Sequence, residues 1–314
     1  MYEGKRIALV IPAYNESKLI KPTLENVPDV IDHIYVIDDA STDNMAEVVS
    51  ECAAKDPRIE LIRHKENCGP GQGIITGYKA SHAANYDITV VAGGDYQMPL
   101  DQVENLLKPL VNDEADYTKG NRFMTGGRAF DDMPKTRLFA NTLISLLTKI
   151  ASGLYKIFDV VDGYTAITKN AIDMVNWDRA WKGYGYPMDF LIRLSAHGLR
   201  VKDIPRRAIY LEGERQSQIK GFRYALRVSP MLVRGFFWRL VIKYIFRDFH
   251  PLIFFYAMGL TLFPLGVLFG FYLVYSQIIG IGVTGPRAIL AALLIITGLQ
   301  SLLFAILFDS QESQ

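Results

Sequence analysis

Asp95 and Gln97 follow the apolar run Ile88, Thr89, Val90 and Val91, with Gly93 and Gly94 between. A short β-branched run of this kind predicts a buried parallel strand. The glycines end it: without Cβ atoms the backbone there can turn sharply or come close to a ligand. A carboxylate and an amide oxygen are thereby left at the strand's carboxyl end, the edge where open α/β sheets bind ligands. Holding a divalent cation is one chemistry that fits. An ordinary turn, for which Gly and Asp are common residues, is the other.

The elements that must position these residues can be read in order. Arg6 to Pro12 is an apolar strand running into Ala13, Tyr14, Asn15, Glu16 and Ser17. His33 to Asp38 is a second, ending in Asp38, Asp39, Ala40, Ser41, Thr42 and Asp43. Ile59 to Arg63 is a third, after which the glycine-rich Asn67 to Gly77 opens a helix reaching about Asn85. Strands alternating with helices predict an α/β fold, a mostly parallel sheet with helices on both faces. The clusters PAYNE, DDASTD and GGDYQ then fall on one rim. Singly each reads as turn or cap chemistry, with Ser41 or Asp43 capping a helix; together they point to a nucleotide site. Asp116 to Phe123 is a further strand, ending in Asn121 and Arg122. The guanidinium fork there suits a phosphate, with a surface ion pair as the alternative.

The 314 residues carry a net charge of +1, unevenly spread. From Phe249 to Pro286, and again from Ala288 to Phe308, there is no Lys, Arg, Asp or Glu. Each stretch exceeds the roughly 20 apolar residues that cross a bilayer, so two spans are expected. Lys220, Arg223, Arg227, Arg234, Arg239, Lys243 and Arg247 precede the first span, and only Arg287 lies between the two. The positive-inside rule places the amino-terminal part and the tail on the cytoplasmic face. The amino-terminal residues MYEGKRIALVIPAYNES read as neither a signal peptide nor an anchor. Between Ile219 and Arg247 the cations recur at threes and fours among Phe236, Phe237, Trp238, Leu240 and Ile245, and Pro230 is expected to divide the segment. That is the pattern of amphipathic helices lying against anionic lipid; continuity with a span favours lipid over nucleic acid as the partner. Cys52 and Cys68 lack metal-ligand spacing and are expected to be free thiols, and the five histidines fall singly.

VIPAYNE, DDASTD, HKENCGPGQG, GDYQMP, KGNRF and DVVDGYTA, in this order, resemble the family 2 glycosyltransferases. More narrowly they resemble the polyprenyl-phosphate sugar synthases typified by dolichol-phosphate mannosyltransferase. The resemblance covers roughly Arg6 to Ser217. It implies a GT-A fold, a nucleotide-sugar donor such as GDP-mannose or a UDP-hexose, Mg2+ or Mn2+, and an inverting transfer to polyprenyl (dolichyl) phosphate that yields a lipid-linked monosaccharide for glycan assembly. By the same resemblance Pro12, Tyr14, Glu16 and Asp39 line the base and ribose pocket, and Asp95 and Gln97 hold the metal. Gly93 stands where the family's Asp-X-Asp-X-Gln element has its first acid. Mg2+ keeps waters and takes diphosphate oxygens, so one carboxylate and one amide can suffice.

The resemblance also places Arg122 on phosphates in the active site, with Arg137 and Asn141, four apart on one helix face, on the lipid phosphate. Met124 to Asp132 is expected to be an acceptor loop, and Pro134 to begin a long helix reaching Ser152. Asp162 stands in DVVDGYTA where the family usually has serine. Asp189, near a helix start, matches the general base of relatives that act on sugar hydroxyls. A phosphate acceptor, with a second pKa of about 6, needs little such help, and the helix macrodipole equally favours a carboxylate there. Arg215 and Ser217 resemble an element that closes over the donor diphosphate. The division expected is a GT-A domain at 1–217, interfacial helices at 218–248 and a two-span hairpin at 249–314, compatible with a homo-oligomer. A processive polysaccharide synthase would need more spans and a Gln-X-X-Arg-Trp element. A membrane-bound nucleotide-sugar sensor with lapsed catalysis would follow if Gly93 marked a lost metal site.

Overall fold

The computed structural model describes residues 1–124, 135–209 and 221–312, with side chains described except at 135–141, 221–223 and 225. By internal contacts the chain forms two compact units, Met1–Phe237 and Trp238–Gln314.

In the first unit β1 (Ile7–Ala13), β2 (His33–Asp38), β3 (Ile59–Arg63) and β4 (Ile88–Val91) are joined by α1 (Ile20–Glu25), α2 (Met45–Ala53) and α3 (Pro70–Ala83). Then come α4 (Val103–Val111), β5 (Tyr117–Asn121), α5 (Lys135–Ser152), β6 (Thr165–Thr168), α6 (Lys169–Met174), α7 (Tyr186–Ala196) and β7 (Val201–Pro205). The seven strands form one sheet in the order β3-β2-β1-β4-β6-β5-β7. β1 pairs in parallel with β2 and with β4, and only β6 runs antiparallel, between β4 and β5. The mostly parallel sheet expected from the sequence is therefore present, made mixed by β6. β6 was not anticipated, because four residues inside DVVDGYTAIT carry no periodic signal of their own; pairing with Ile88–Val91 makes them a strand.

Alternate side chains of β1 feed two cores. Ile7, Leu9 and Ile11 pack with Ile20 and Leu24 of α1, Val49 of α2 and Leu106 and Leu107 of α4. Ala8 and Val10 face Ile74, Ile75 and Tyr78 of α3 and Phe190, Leu191 and Leu194 of α7. Each such aliphatic side chain, taken from water, contributes about 1.5–3 kcal/mol. α3 comes closest at Gly77, where a Cβ would lie 2.2 Å from Val10 Cγ1, so any larger residue would push the helix off the sheet.

In the second unit a π-helical turn, Ile242–Arg247, is followed by α9 (Leu252–Ile278) and α10 (Gly285–Gln311). Both helices are long and apolar enough to cross a membrane. They form a hairpin through small residues: a Cβ on Gly298 would lie 2.3 Å from the Phe263 backbone N, and one on Gly266 2.7 Å from that of Ile295. Most of their large apolar side chains, among them Leu265, Leu268, Phe271, Leu293 and Leu303, face outward.

α8 (Gly221–Val241) differs from expectation in two ways. It runs through Pro230 without a break. Proline removes one i→i−4 bond, but the carbonyl freed belongs to Leu226, an exposed residue where water can satisfy it. Arg239 and Lys243 also do not face lipid: both are buried. Asp309 of α10 draws Arg239 inward, accepting from Nη1 at 2.8 Å and Nη2 at 2.7 Å, and also accepts from the Tyr244 hydroxyl at 2.5 Å and the Tyr256 hydroxyl at 3.0 Å. A buried guanidinium is tolerated because four donors meet one carboxylate there.

Candidate active site

The carboxyl ends of β1, β2 and β4 adjoin, and the loops leaving them are bound together. Asn15 N donates to Ser41 Oγ at 3.0 Å, Thr42 N to Asn15 Oδ1 at 2.8 Å, and Ser17 N to Asp43 Oδ2 at 3.0 Å. Three residues on this rim, Asn15 (φ 56°), Ala40 (φ 60°) and Tyr96 (φ 55°), adopt the left-handed conformation that costs an L-residue roughly 1–2 kcal/mol. Strain of this kind persists only where the surroundings enforce it, and it clusters at ligand sites. The three clusters that sequence reasoning assigned to one rim do meet there. Pro12 is half-buried at the end of β1, Tyr14 is exposed, and Glu16 begins the turn into α1.

Asp39 is buried and fully engaged. His64 Nδ1 lies 2.7 Å from Oδ1, Cys68 N donates to Oδ1 at 2.9 Å, and Gly69 N donates to Oδ2 at 2.7 Å. The other nitrogen of His64 lies 2.9 Å from Thr76 Oγ1. Asp39, His64 and Cys68 bring oxygen, nitrogen and sulfur atoms within 4.8 Å of one another. A cation does not fit among them, because two backbone N–H dipoles already point their positive ends at the carboxylate.

Asp95 contrasts with it. Its carboxylate is half-buried and accepts a 3.3 Å bond from Gln97 N. Burial pushes its pKa up, against the Gln97 amide and the charge of Arg206, which pull it down. Under-satisfied oxygen beside the Gln97 amide is a donor set suited to Mg2+ or Mn2+. A Cβ at Gly93 would lie 2.9 Å from Asp95 Oδ1, a contact that a shift of the Asp95 side chain would relieve.

Beyond the rim lies a buried ionic cluster that the sequence did not reveal. Arg206, the first residue after β7, donates through Nε to Asp162 Oδ2 at 2.8 Å and through Nη1 to the Gln97 carbonyl at 3.3 Å. Gly120 makes room for it, a Cβ there lying 3.0 Å from Arg206 Cδ. Arg122 is paired with Asp159, Nε to Oδ2 at 2.7 Å and Nη2 to Oδ1 at 3.0 Å, and its Nε is 3.4 Å from Asp162 Oδ2. Lys119 donates to the Asp162 carbonyl. Burial alone would raise the Asp162 pKa, but Arg206, Arg122 and Lys119 hold it below the ordinary carboxylate range. Burial in turn lowers the Lys119 pKa, against the acids around it. One chain of contacts thus runs from Gln97 through Arg206 and Asp162 to Arg122. A cation at the end of the last strand was the available sequence signal for Arg206; its partner across the sheet was not.

Asp189 lies in the first turn of α7, where Oδ2 accepts from Trp181 N at 2.8 Å and from Arg193 Nε at 2.7 Å. Arg137 and Asn141 fall on α5, their side chains outside the description, and Arg215, Ser217 and most of the Met124–Asp132 loop lie outside the described residues. Among the described residues Cys52 and Cys68 are free thiols.

Residues 8–175 match the family model described as Glycosyl transferase family 2. The chain is 29% identical over 221 residues to the UDP-N-acetylglucosamine–dolichyl-phosphate N-acetylglucosaminyltransferase of Methanococcus voltae, covering 66% of this chain and 87% of that one. It is 28% identical to the undecaprenyl-phosphate mannosyltransferase of Micrococcus luteus, covering 64% and 82% respectively. Among solved structures, glucosyl-3-phosphoglycerate synthase from Mycobacterium tuberculosis, in complex with Mn2+, uridine diphosphate and phosphoglyceric acid, superposes with a TM-score of 0.54 at 16% identity, over 75% of this chain and 78% of that one. That similarity supports the GT-A-like fold.

Proposed function

The chain belongs to glycosyl transferase family 2, and from that membership we propose that it moves a sugar from a nucleotide-sugar donor to a polyprenyl phosphate, with inversion at the anomeric carbon. The acceptor class is supported by what the relatives from Methanococcus voltae and Micrococcus luteus are named for. The observation that carries the reading is the line of contacts from Gln97 through Arg206 and Asp162 to Arg122, which couples a cation-type donor set to a phosphate-type guanidinium.

Pro12, Tyr14, Glu16 and Asp39 would take the nucleoside, with Asp39 aimed by His64 and two backbone amides. Asp95 and Gln97 would hold Mg2+ or Mn2+, which when bound offsets charge on the departing diphosphate. Arg122, fixed in place by its pair with Asp159, would be part of the preorganised electrostatics around those phosphates; Arg215 would approach the same diphosphate. Arg137 and Asn141 would hold the acceptor phosphate in line. That phosphate is already anionic at neutral pH, so no base is required, and the engagement of Asp189 by Arg193 and Trp181 supports a role in holding the start of α7.

α9 and α10 would cross the membrane, with the catalytic unit on the cytoplasmic face by the asymmetry of cations around them. Exposed Arg227, Arg234 and Phe237 on α8 suit a headgroup layer. The test is purified protein with GDP-mannose, UDP-glucose and UDP-N-acetylglucosamine, a polyprenyl phosphate and divalent cation, read by mass spectrometry of the lipid. One glycosylated lipid is expected, with its anomeric configuration opposite to the donor's. Absence of lipid product with every donor overturns the proposal.

A further inference from the structure

Asp203 is an acid that strand packing alone would not choose. It sits in the middle of β7, half-buried and in register with Lys119 of β5, although aspartate is depleted in strands. Its Oδ1 is buried and, among the described residues, has no hydrogen-bond partner, which costs free energy for any acceptor taken from water. Burial raises its pKa, against the Phe158 amide, Asn121 and Lys119, which pull it down; the charge of Asp159 raises it further. A residue kept against its local preference is explained by what its other atoms do.

Oδ2 of the same carboxylate accepts from Asn121 Nδ2 at 2.6 Å and from Phe158 N at 2.7 Å. Asn121, fully buried, turns its own Oδ1 back to accept from Phe123 N at 2.9 Å. Arg122 lies between Asn121 and Phe123, and Asp159 follows Phe158. One carboxylate oxygen therefore holds the chain at both members of the Arg122–Asp159 pair. A further contact joins the same two segments, the rings of Phe123 and Phe158 meeting edge to face with centroids 5.5 Å apart. The Arg122 side chain keeps 18% of its surface exposed, so it can meet a ligand. An arginine left unheld carries large rotamer freedom, and its pair with Asp159 fixes it only if the two backbones are fixed against each other. The bridge from Asp203 does that before any ligand arrives, as preorganised charge requires.

We propose that Asp203 is a positioning residue of the transfer reaction: by bridging Asn121 and the Phe158 amide it sets the Arg122 guanidinium where charge develops on the departing diphosphate. The inference rests on the role given to Arg122 above. That charge grows in the transition state, so misplacing Arg122 lowers kcat and leaves the donor KM within about twofold. Asp203→Ala is expected to lower kcat about 30-fold, within what small misplacements cost. Asp203→Asn keeps an oxygen that accepts both bonds and is expected to recover kcat to within about threefold of the wild type.

A double-mutant cycle separates positioning from general support. It uses full-length protein, a polyprenyl phosphate and whichever of GDP-mannose, UDP-glucose and UDP-N-acetylglucosamine gives product. Because Asp203 acts through Arg122, adding Asp203→Ala to Arg122→Ala is expected to cost no further kcat. A double variant whose loss is the product of the two single losses overturns the proposal, and so does Asp203→Asn as slow as Asp203→Ala. Thermal melts in detergent establish that each variant folds. Where Asp203→Ala does not, Asn121→Ala, which cuts one of the two bonds to Oδ2, takes its place in the cycle. Wild-type kcat in Arg122→Ala would overturn the role given to Arg122 itself, and the positioning role with it.

Discussion

Asp39 and Asp95 follow the two strands that flank β1, yet their carboxylates are held in opposite ways. Three N–H donors converge on Asp39 at 2.7 to 2.9 Å. Asp95, half-buried, accepts a long bond from the Gln97 amide, and burial raises its pKa. A saturated carboxylate is part of the scaffold: its geometry is fixed before any ligand arrives, and removing it orphans its donors. An under-satisfied one carries an unmet electrostatic demand that a cation would meet. The contrast separates the acid that shapes the pocket from the acid suited to a metal, although both look alike as turn residues in the sequence.

Asp309 in the second unit is the extreme of the saturated kind, and it offers the strongest way to break the rule. Asp309→Ala leaves the Arg239 guanidinium buried without its carboxylate and is expected to cost about 3–5 kcal/mol, read as a lowered melting transition in detergent. A variant that melts like the wild type would show that saturation does not mark a structural carboxylate. On the other side of the contrast, Asp95→Ala is expected to reduce transfer by about two to three orders of magnitude while leaving stability the same or higher, since it relieves burial and forfeits only a 3.3 Å bond. Undiminished transfer would remove the metal role from Asp95, and a large drop in melting temperature would place it with Asp39 as a saturated carboxylate.

Asp39→Ala is expected to cost about 1–3 kcal/mol of stability, because the imidazole and two backbone amides lose their acceptor. Equilibrium urea unfolding of the first unit's transition measures it. A smaller and more specific effect is the pH dependence. Since the folded pKa of Asp95 is raised, the stability tied to its protonated form is fully present below the unfolded value of about 4 and is lost as pH rises through the folded value. Ligand-free Asp95→Asn should lack that slope, seen by comparing urea midpoints of the two proteins at about pH 4 and about pH 7. Equal slopes would mean that Asp95 is not the strained carboxylate of the pair.

Local sequence carried much of the architecture. The strand limits at His33–Asp38, Ile59–Arg63 and Ile88–Val91 were legible because β-branched runs there end in polar turns, and the helix ending at Ser152 was legible from its length. Asp95 and Gln97 could be singled out because a strand's carboxyl end is a position along the chain. His64 and Arg206 could not, because their roles come from partners distant in sequence: His64 with Asp39, and Arg206 with Asp162 and Gln97. The inward turn of Arg239 and Lys243 was hidden for the same reason, since a cation at helical spacing reads as a solvated face until Asp309 is brought beside it.

By itself the sequence determined the alternation of strands and helices, the rim on which its acids would fall, and the two long apolar stretches, because each is a matter of local pattern and hydrophobic periodicity. Only the tertiary structure decided which carboxylate was saturated and which was left wanting, that β6 would enter the sheet backwards, and that α5 would turn Leu143, Leu146 and Leu147 outward. Those outcomes depend on which donors, strands and surfaces long-range packing brings together.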